Sequence, residues 1–111
     1  MIFLNFTITQ KGKKMIYEYD DTFMLNAIET SSIENIEAEK YNFVLNKLNI
    51  DDNYYLEKLT KSLVYMELAK QNLETDGMKA KYDIYKAEYD HFLNLAKNNQ
   101  SGVFNLAINR G

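Results

Sequence analysis

The stretch that decides the fold is Met78-Lys79-Ala80-Lys81-Tyr82-Asp83-Ile84-Tyr85-Lys86-Ala87-Glu88-Tyr89-Asp90-His91-Phe92-Leu93-Asn94-Leu95-Ala96. Met78, Tyr82, Tyr85, Tyr89, Phe92 and Ala96 recur at spacings of four and three, the repeat that turns one side of an α-helix toward a partner helix. The partner precedes it. After the polar break Asp51-Asp52-Asn53, which also caps a helix start, Leu56, Leu59, Leu63, Met66 and Leu73 form a stripe interrupted at Lys70. Val64, Tyr65 and Leu68 add a second apolar flank, so this helix is expected to be the most central one. Thr75-Asp76-Gly77 leaves only a short connection, which makes the two helices an antiparallel hairpin. Its seam is Leu59, Leu63 and Met66 against Tyr82, Tyr85, Tyr89 and Phe92.

Working toward the N-terminus, Ser31 followed by Glu34 is a capping-box signature. The helix it opens carries Ile33, Ile36, Tyr41, Val44, Leu45 and Leu48 on one face. Before it, Asp20, Asp21 and Thr22 suit the start of a short helix through Phe23, Met24, Ala27 and Ile28, ending near Thr30. Leu4, Phe6 and Ile8 alternate with polar residues, Lys11-Gly12-Lys13-Lys14 supplies a turn, and Met15, Tyr17 and Tyr19 alternate again. Residues 2 to 19 therefore read as a β-hairpin, which needs something to pair with. Beyond Asn98-Asn99-Gln100-Ser101-Gly102, read as a helix stop, Val103, Phe104, Leu106 and Ile108 sit in an apolar tail with strand-like alternation.

The expected fold is thus mainly α, a helical bundle with a long C-terminal antiparallel helix hairpin, an N-terminal β-hairpin and an extended C-terminal arm. Residues 1 to 111 make one domain, with a hairpin arm at 1–19, a helical core at 21–97 and the extended arm at 103–111. A hydrophobic share of 46% against 26% charged keeps the chain among those that fold. Met15 is a second place where translation can begin, which would make the first strand an extension.

Charge and residue types narrow the function classes. The net charge of −3, with both signs interspersed, gives no broad basic field for nucleic acid. The Lys11–Lys14 cluster reads as a solvated turn. Absence of cysteine removes disulfides, thiolate nucleophiles and cysteine metal ligands, so a reducing cytoplasm is the simplest setting. The opening Met1-Ile2-Phe3-Leu4-Asn5-Phe6 lacks a basic leader and is soon broken by polar residues, so it reads as neither signal peptide nor membrane span. His91 is the lone histidine and stands beside the seam without metal-binding company, which favours a polar structural role. Asp20-Asp21 and Asp51-Asp52 lack the alternating oxygens and glycine of a calcium loop and read as helix caps. No glycine-rich phosphate loop or nucleophile elbow is present. The aromatic row Tyr82, Tyr85, Tyr89, Phe92 lacks the basic surround of a base-stacking platform and reads as core. Pairs such as Glu57 with Lys61 and Glu67 with Gln71 are solvated faces. The expectation is a non-enzymatic binding protein with no cofactor and no metal.

The run Tyr55-Leu56-Glu57-Lys58-Leu59-Thr60-Lys61-Ser62-Leu63-Val64-Tyr65-Met66-Glu67-Leu68-Ala69, an acidic turn, and Met78 through Tyr89 give an order of pieces that resembles the small helical head-tail connector, or adaptor, proteins of tailed bacteriophages. The similarity covers roughly residues 21 to 97. The leading hairpin departs from the commonest pattern, in which helices begin almost at once. The resemblance implies a structural virion protein, made in the host cytoplasm and placed at the head-tail interface. It implies a ring homo-oligomer, dodecameric to match a portal, that touches the portal protein and tail or further connector proteins, lets DNA pass as channel cargo during genome ejection, and meets no membrane. Its interface residues would lie on the arms: Leu4, Phe6 and Ile8 in the hairpin, and Val103, Phe104, Leu106, Ile108 and Arg110 in the tail. The tail's apolar residues return less on burial than ordering it costs, so it is expected to order against a neighbouring subunit by strand pairing. Two other readings use the same features. One is a small phage-encoded inhibitor that binds a host protein, and the other a helical regulator or antitoxin, for which a basic recognition helix is missing.

Overall fold

Four helices, in a computed structural model that describes residues 15–27 and 33–110 and side chains as far as Asn99, are arranged around the second half of the chain. They are α1 (Thr22–Ala27), α2 (Ile33–Asn42), α3 (Asn53–Gln71) and α4 (Met78–Arg110). Helix α3 starts where the sequence predicts, because the Asp52 carboxylate accepts the otherwise unpaired amides of Tyr54 at 3.0 Å and Tyr55 at 3.2 Å. Its buried residues include Leu56, Leu59, Val64, Tyr65 and Leu68, which spread around the helix and place it in the middle of the fold. On one side it meets α2, where Lys40 lies 3.6 Å from Glu67. A different side meets α4, where Tyr65 stacks on Tyr85 at 4.4 Å. The α3–α4 hairpin is the principal packing of the chain, as the two stripes predict.

Two apolar clusters are strung along α3. One gathers Met24, Ile33, Ile36, Val64, Leu68 and Met78 at the hairpin turn. The other gathers Val44, Ile50, Leu56, Leu59 and Ala96 at the opposite end. Of the expected seam, Leu59 is fully buried, while Leu63, Met66, Tyr82, Tyr85, Tyr89 and Phe92 are half-buried. Leu63, Met66 and Tyr82 line a groove of about 120 Å³ between α2 and α4.

Gly77 sets the turn. Its φ of +90° is a backbone region that side chains avoid, and a Cβ there would come within 2.9 Å of Phe23 Cζ. Gly77→Ala is expected to cost about 1–2 kcal/mol in chemical denaturation. The Phe23 ring is 44% exposed and free to swing away, so most of this comes from the backbone. An unchanged midpoint would show that the turn relaxes to another conformation.

Where the sequence predicts one continuous helix, α2 ends in a π-helical turn, Phe43–Lys47, closed by the Leu48 amide on the Phe43 carbonyl at 3.1 Å. Asn49 then takes a left-handed φ of 59°, which asparagine tolerates better than most residues. The reversal drops Ile50 into the core, 1% exposed, from a position that looks like linker.

Two further expectations need correction. The second strand of the predicted hairpin is not a strand: no strand occurs among the described residues, and 15–21 run as an irregular strap over the helices. The amides of Ile16 and Tyr17 are taken by a carboxylate of α2, so these two cannot join a strand ladder. The first strand and the Lys11–Lys14 turn lie outside the described residues, as does Ser31 of the capping box. The extended tail is the second correction, because α4 continues through Val103 to Arg110. Extending an established helix adds one hydrogen bond per residue fixed, and Gly102 opposes this by only about 1 kcal/mol. The tail letters also fit a helical period. From Ala96 the seam continues through Asn99, Val103, Leu106 and Arg110 at spacings of three and four.

Candidate functional site

Two buried acids organise the polar interior. Glu37 is 1% exposed, one turn after Ile33 on the inner face of α2. Its carboxylate accepts the Ile16 amide at 2.7 Å, the Tyr17 amide at 2.9 Å and the Tyr19 hydroxyl at 2.8 Å. Asp21 precedes α1 and caps it, accepting the Met24 amide at 3.1 Å. The same carboxylate takes the Lys81 ammonium at 2.8 Å and the Tyr85 hydroxyl, both from α4. The Asp21 amide donates to the Tyr65 hydroxyl at 3.0 Å. Tyr19 meets Tyr65 edge-on at 5.6 Å, so strap, α3 and α4 are tied through one aromatic and polar column.

Burial and hydrogen bonding shift the Asp21 carboxyl and the phenols of this column in opposite senses. Burial pushes the Asp21 carboxyl up, but the Lys81 and Tyr85 hydrogen bonds and the Met24 amide outweigh it and hold the group below the usual carboxylate range. Burial, then the bond to Glu37, raises the Tyr19 phenol, and burial, then the bond to Asp21, raises Tyr85. Tyr17 is pushed up to about 12, mostly by burial. Tyr65 and Tyr89 are also raised, with burial again the largest cause. At neutral pH the network therefore holds Asp21 ionised and these phenols protonated. Beside it, Asp20, Glu57, Lys58, Lys61 and Glu88 line a cleft of about 220 Å³ whose walls are the Tyr65 and Tyr85 rings.

An alkaline titration tests this column. The unfolded chain releases tyrosine protons near pH 10, while the folded chain retains them at Tyr17, Tyr19, Tyr65, Tyr85 and Tyr89. Unfolding then releases protons, so stability is full below about pH 10 and falls as pH climbs through the folded values. Tyrosinate absorbance is expected to rise in two stages, the second coinciding with loss of helical circular dichroism. One smooth step shared by all 9 tyrosines, with helicity intact, would contradict the arrangement.

The outer surface carries the remaining features. Tyr54 is 57% exposed and meets Phe92 edge-on at 6.1 Å, with Lys58 Nζ 5.6 Å from both ring centroids. Leu95 and Ile84 are exposed on α4. Phe43 is exposed on the π-helical turn, where Glu39, Asn42, Asn46 and Lys47 complete a groove of about 310 Å³. His91 is exposed and meets the Phe92 ring edge-on at 5.0 Å. Among the described residues no group of three or more metal-binding side chains occurs, and no helix is long and apolar enough to cross a membrane.

Of the predicted interface residues, Leu4, Phe6 and Ile8 lie outside the described residues. Val103, Phe104, Leu106, Ile108 and Arg110 fall on the last turns of α4, brought onto one helix rather than an arm. Sequence reasoning missed Glu37, Tyr19, Tyr65 and Lys81 as partners. A signal for Glu37 existed, since an acid one turn after Ile33 and next to Ile36 sits on an otherwise apolar face. No protein-family model, curated protein or solved structure matches this chain.

Proposed function

We propose that the chain is a structural subunit of a tailed-phage virion, a head-tail connector or adaptor that assembles with copies of itself into a ring below the portal. The observation that carries this reading is the length of α4. It has 33 residues against 19 in its hairpin partner α3. At 1.5 Å per residue that is about 50 Å against about 28 Å. Ala96 already packs against the first turns of α3, so the rest of α4 runs on without that partner. A helix that runs on past its hairpin partner suits a subunit of an assembly, which can use it to reach a neighbour. The exposed Tyr54, Phe43, Ile84 and Leu95 supply further contact area of the kind interfaces favour. The polar network supports a non-enzymatic role, because its hydrogen bonds are spent on holding the strap and helices together. A net charge of −3 suits a channel wall past which DNA slides without adhering.

The test is to mix the purified protein with portal rings from the same genome and image the product. The expected result is a stoichiometric ring stacked on the portal. Failure to bind the portal, together with tight capture of a host enzyme by the monomer, would favour the inhibitor reading instead.

A further inference from the structure

We propose that the outer face of α2 and its π-helical turn is a self-complementary surface, on which a second copy of the chain docks antiparallel. Phe43 meets Phe43 at the centre, and Glu39 of each copy meets Lys47 of the other. The inference goes beyond the connector reading and makes no use of α4.

The surface is built by the way α2 ends. Glu39, Asn42, Phe43, Asn46 and Lys47 line one groove, and all five are exposed. In an α-helix every fourth residue overshoots a full turn of 3.6 residues, so a row at 39, 43 and 47 would drift around the cylinder. The π-helical turn Phe43–Lys47 takes more residues per turn, which swings Lys47 back toward the line of Glu39 and Phe43. The result is a short row with a carboxylate at one end, a ring 40% exposed in the middle and an ammonium at the other end. The two charges are roughly 12 Å apart along the axis at about 1.5 Å per residue. Neither makes an ion pair among the described residues.

Charge decides both the occupant and its direction. Elsewhere exposed charges pair within a helix, as Lys79 does with Asp83 at 2.9 Å and Lys86 with Asp90 at 3.2 Å on α4. On the α2 face a ring and two neutral amides separate them, the pattern of an apolar interface centre with charged edges. A copy laid antiparallel about a two-fold axis through Phe43 brings each carboxylate to the other copy's ammonium and ring onto ring. A parallel copy would set carboxylate on carboxylate and ammonium on ammonium, so repulsion fixes the direction as well as attraction. Asn42 and Asn46 flank the axis with amides that both donate and accept, so like can pair with like. One helix face is smaller than a standard interface, which puts the association in the weak class that shows at high concentration. A two-fold contact closes at two copies, so it pairs subunits and does not by itself build a ring.

Charge reversal tests this without touching the core. Glu39→Lys and Lys47→Glu chains, each matched to the wild type in circular dichroism and thermal midpoint, are run alone and mixed in sedimentation equilibrium up to ~1 mM, beside the wild type. The wild type is expected to dimerise. By symmetry one substitution turns both ion pairs into like-charge pairs, so each variant alone should associate about tenfold more weakly. Their mixture should regain wild-type association as a dimer of one chain of each, identified by native mass spectrometry with one variant isotope-labelled. The double variant Glu39→Lys/Lys47→Glu should regain it too, and Phe43→Ala should weaken it about tenfold. A wild type that stays at 13.0 kDa throughout, single variants that associate like the wild type, or a mixture that associates no better than its components would each overturn the proposal. A chain that passes the charge-reversal test but ignores portal rings keeps this inference and loses the connector reading. Portal binding by the wild type, with no recovery in the mixture, does the reverse.

Discussion

Glu37→Ala is expected to destabilise the folded chain by about 3 kcal/mol and to release the strap at residues 15–21. The carboxylate accepts three hydrogen bonds in a site 1% exposed. Alanine would leave two backbone amides and a tyrosine hydroxyl without their acceptor, at about 1–3 kcal/mol for each donor that stays buried. The strap lies near the surface, so some donors turn to water and the three costs do not simply add. Met15 and Tyr19 pack on the first apolar cluster, so a released strap also uncovers apolar surface. Glu37→Gln keeps one acceptor oxygen and should lose about half as much. Chemical denaturation measures the cost, and hydrogen exchange at Ile16 and Tyr17 reports the strap directly. Rapid exchange there in the wild type would show that the latch is not closed in solution.

Leu59→Ala should cost about 2–5 kcal/mol, and Leu63→Ala clearly less. Both belong to the same sequence stripe, and only the structure separates them. Leu59 is fully buried among Val44, Ile50, Leu56 and Ala96, whereas Leu63 borders the open groove between α2 and α4. Loss of the Leu59 side chain leaves a cavity in the middle of the second cluster, with helix on several sides and little room to collapse. Equal costs at the two positions would mean that α3 is not the central helix in solution.

The helical hairpin was legible because a seam repeated at four and three residues has one economical reading, and because Asp52 and Asp21 announce helix starts by their chemistry. The strap misled for a definite reason. Met15, Tyr17 and Tyr19 are half-buried while Ile16, Glu18 and Asp20 are exposed. That is the alternation of a strand, yet an extended chain lying on helices shows it too. Period two reports burial on one side, and only the fate of the amides decides whether a sheet is present. The tail misled similarly, since Val103, Leu106 and Arg110 fit a helix as well as Phe104, Leu106 and Ile108 fit a strand. A helix already 19 residues long by Ala96 biases the outcome toward continuation. The π-helical turn and the burial of Ile50 left no sequence signal, because both follow from where α2 must end to let α3 begin. The polar site was legible residue by residue only at its caps, since Lys81 and Tyr85 reach Asp21 from 60 and 64 residues further along the chain.

The central claim is that α4 beyond Ala96 exists to meet another molecule of the same assembly, and native mass spectrometry over a concentration series tests it most directly. The account predicts a defined, closed multiple of the 13.0 kDa chain that grows in as concentration rises. A single species at 13.0 kDa throughout the series, with residues 97 to 110 exchanging their amide hydrogens as fast as an unfolded peptide, would contradict it.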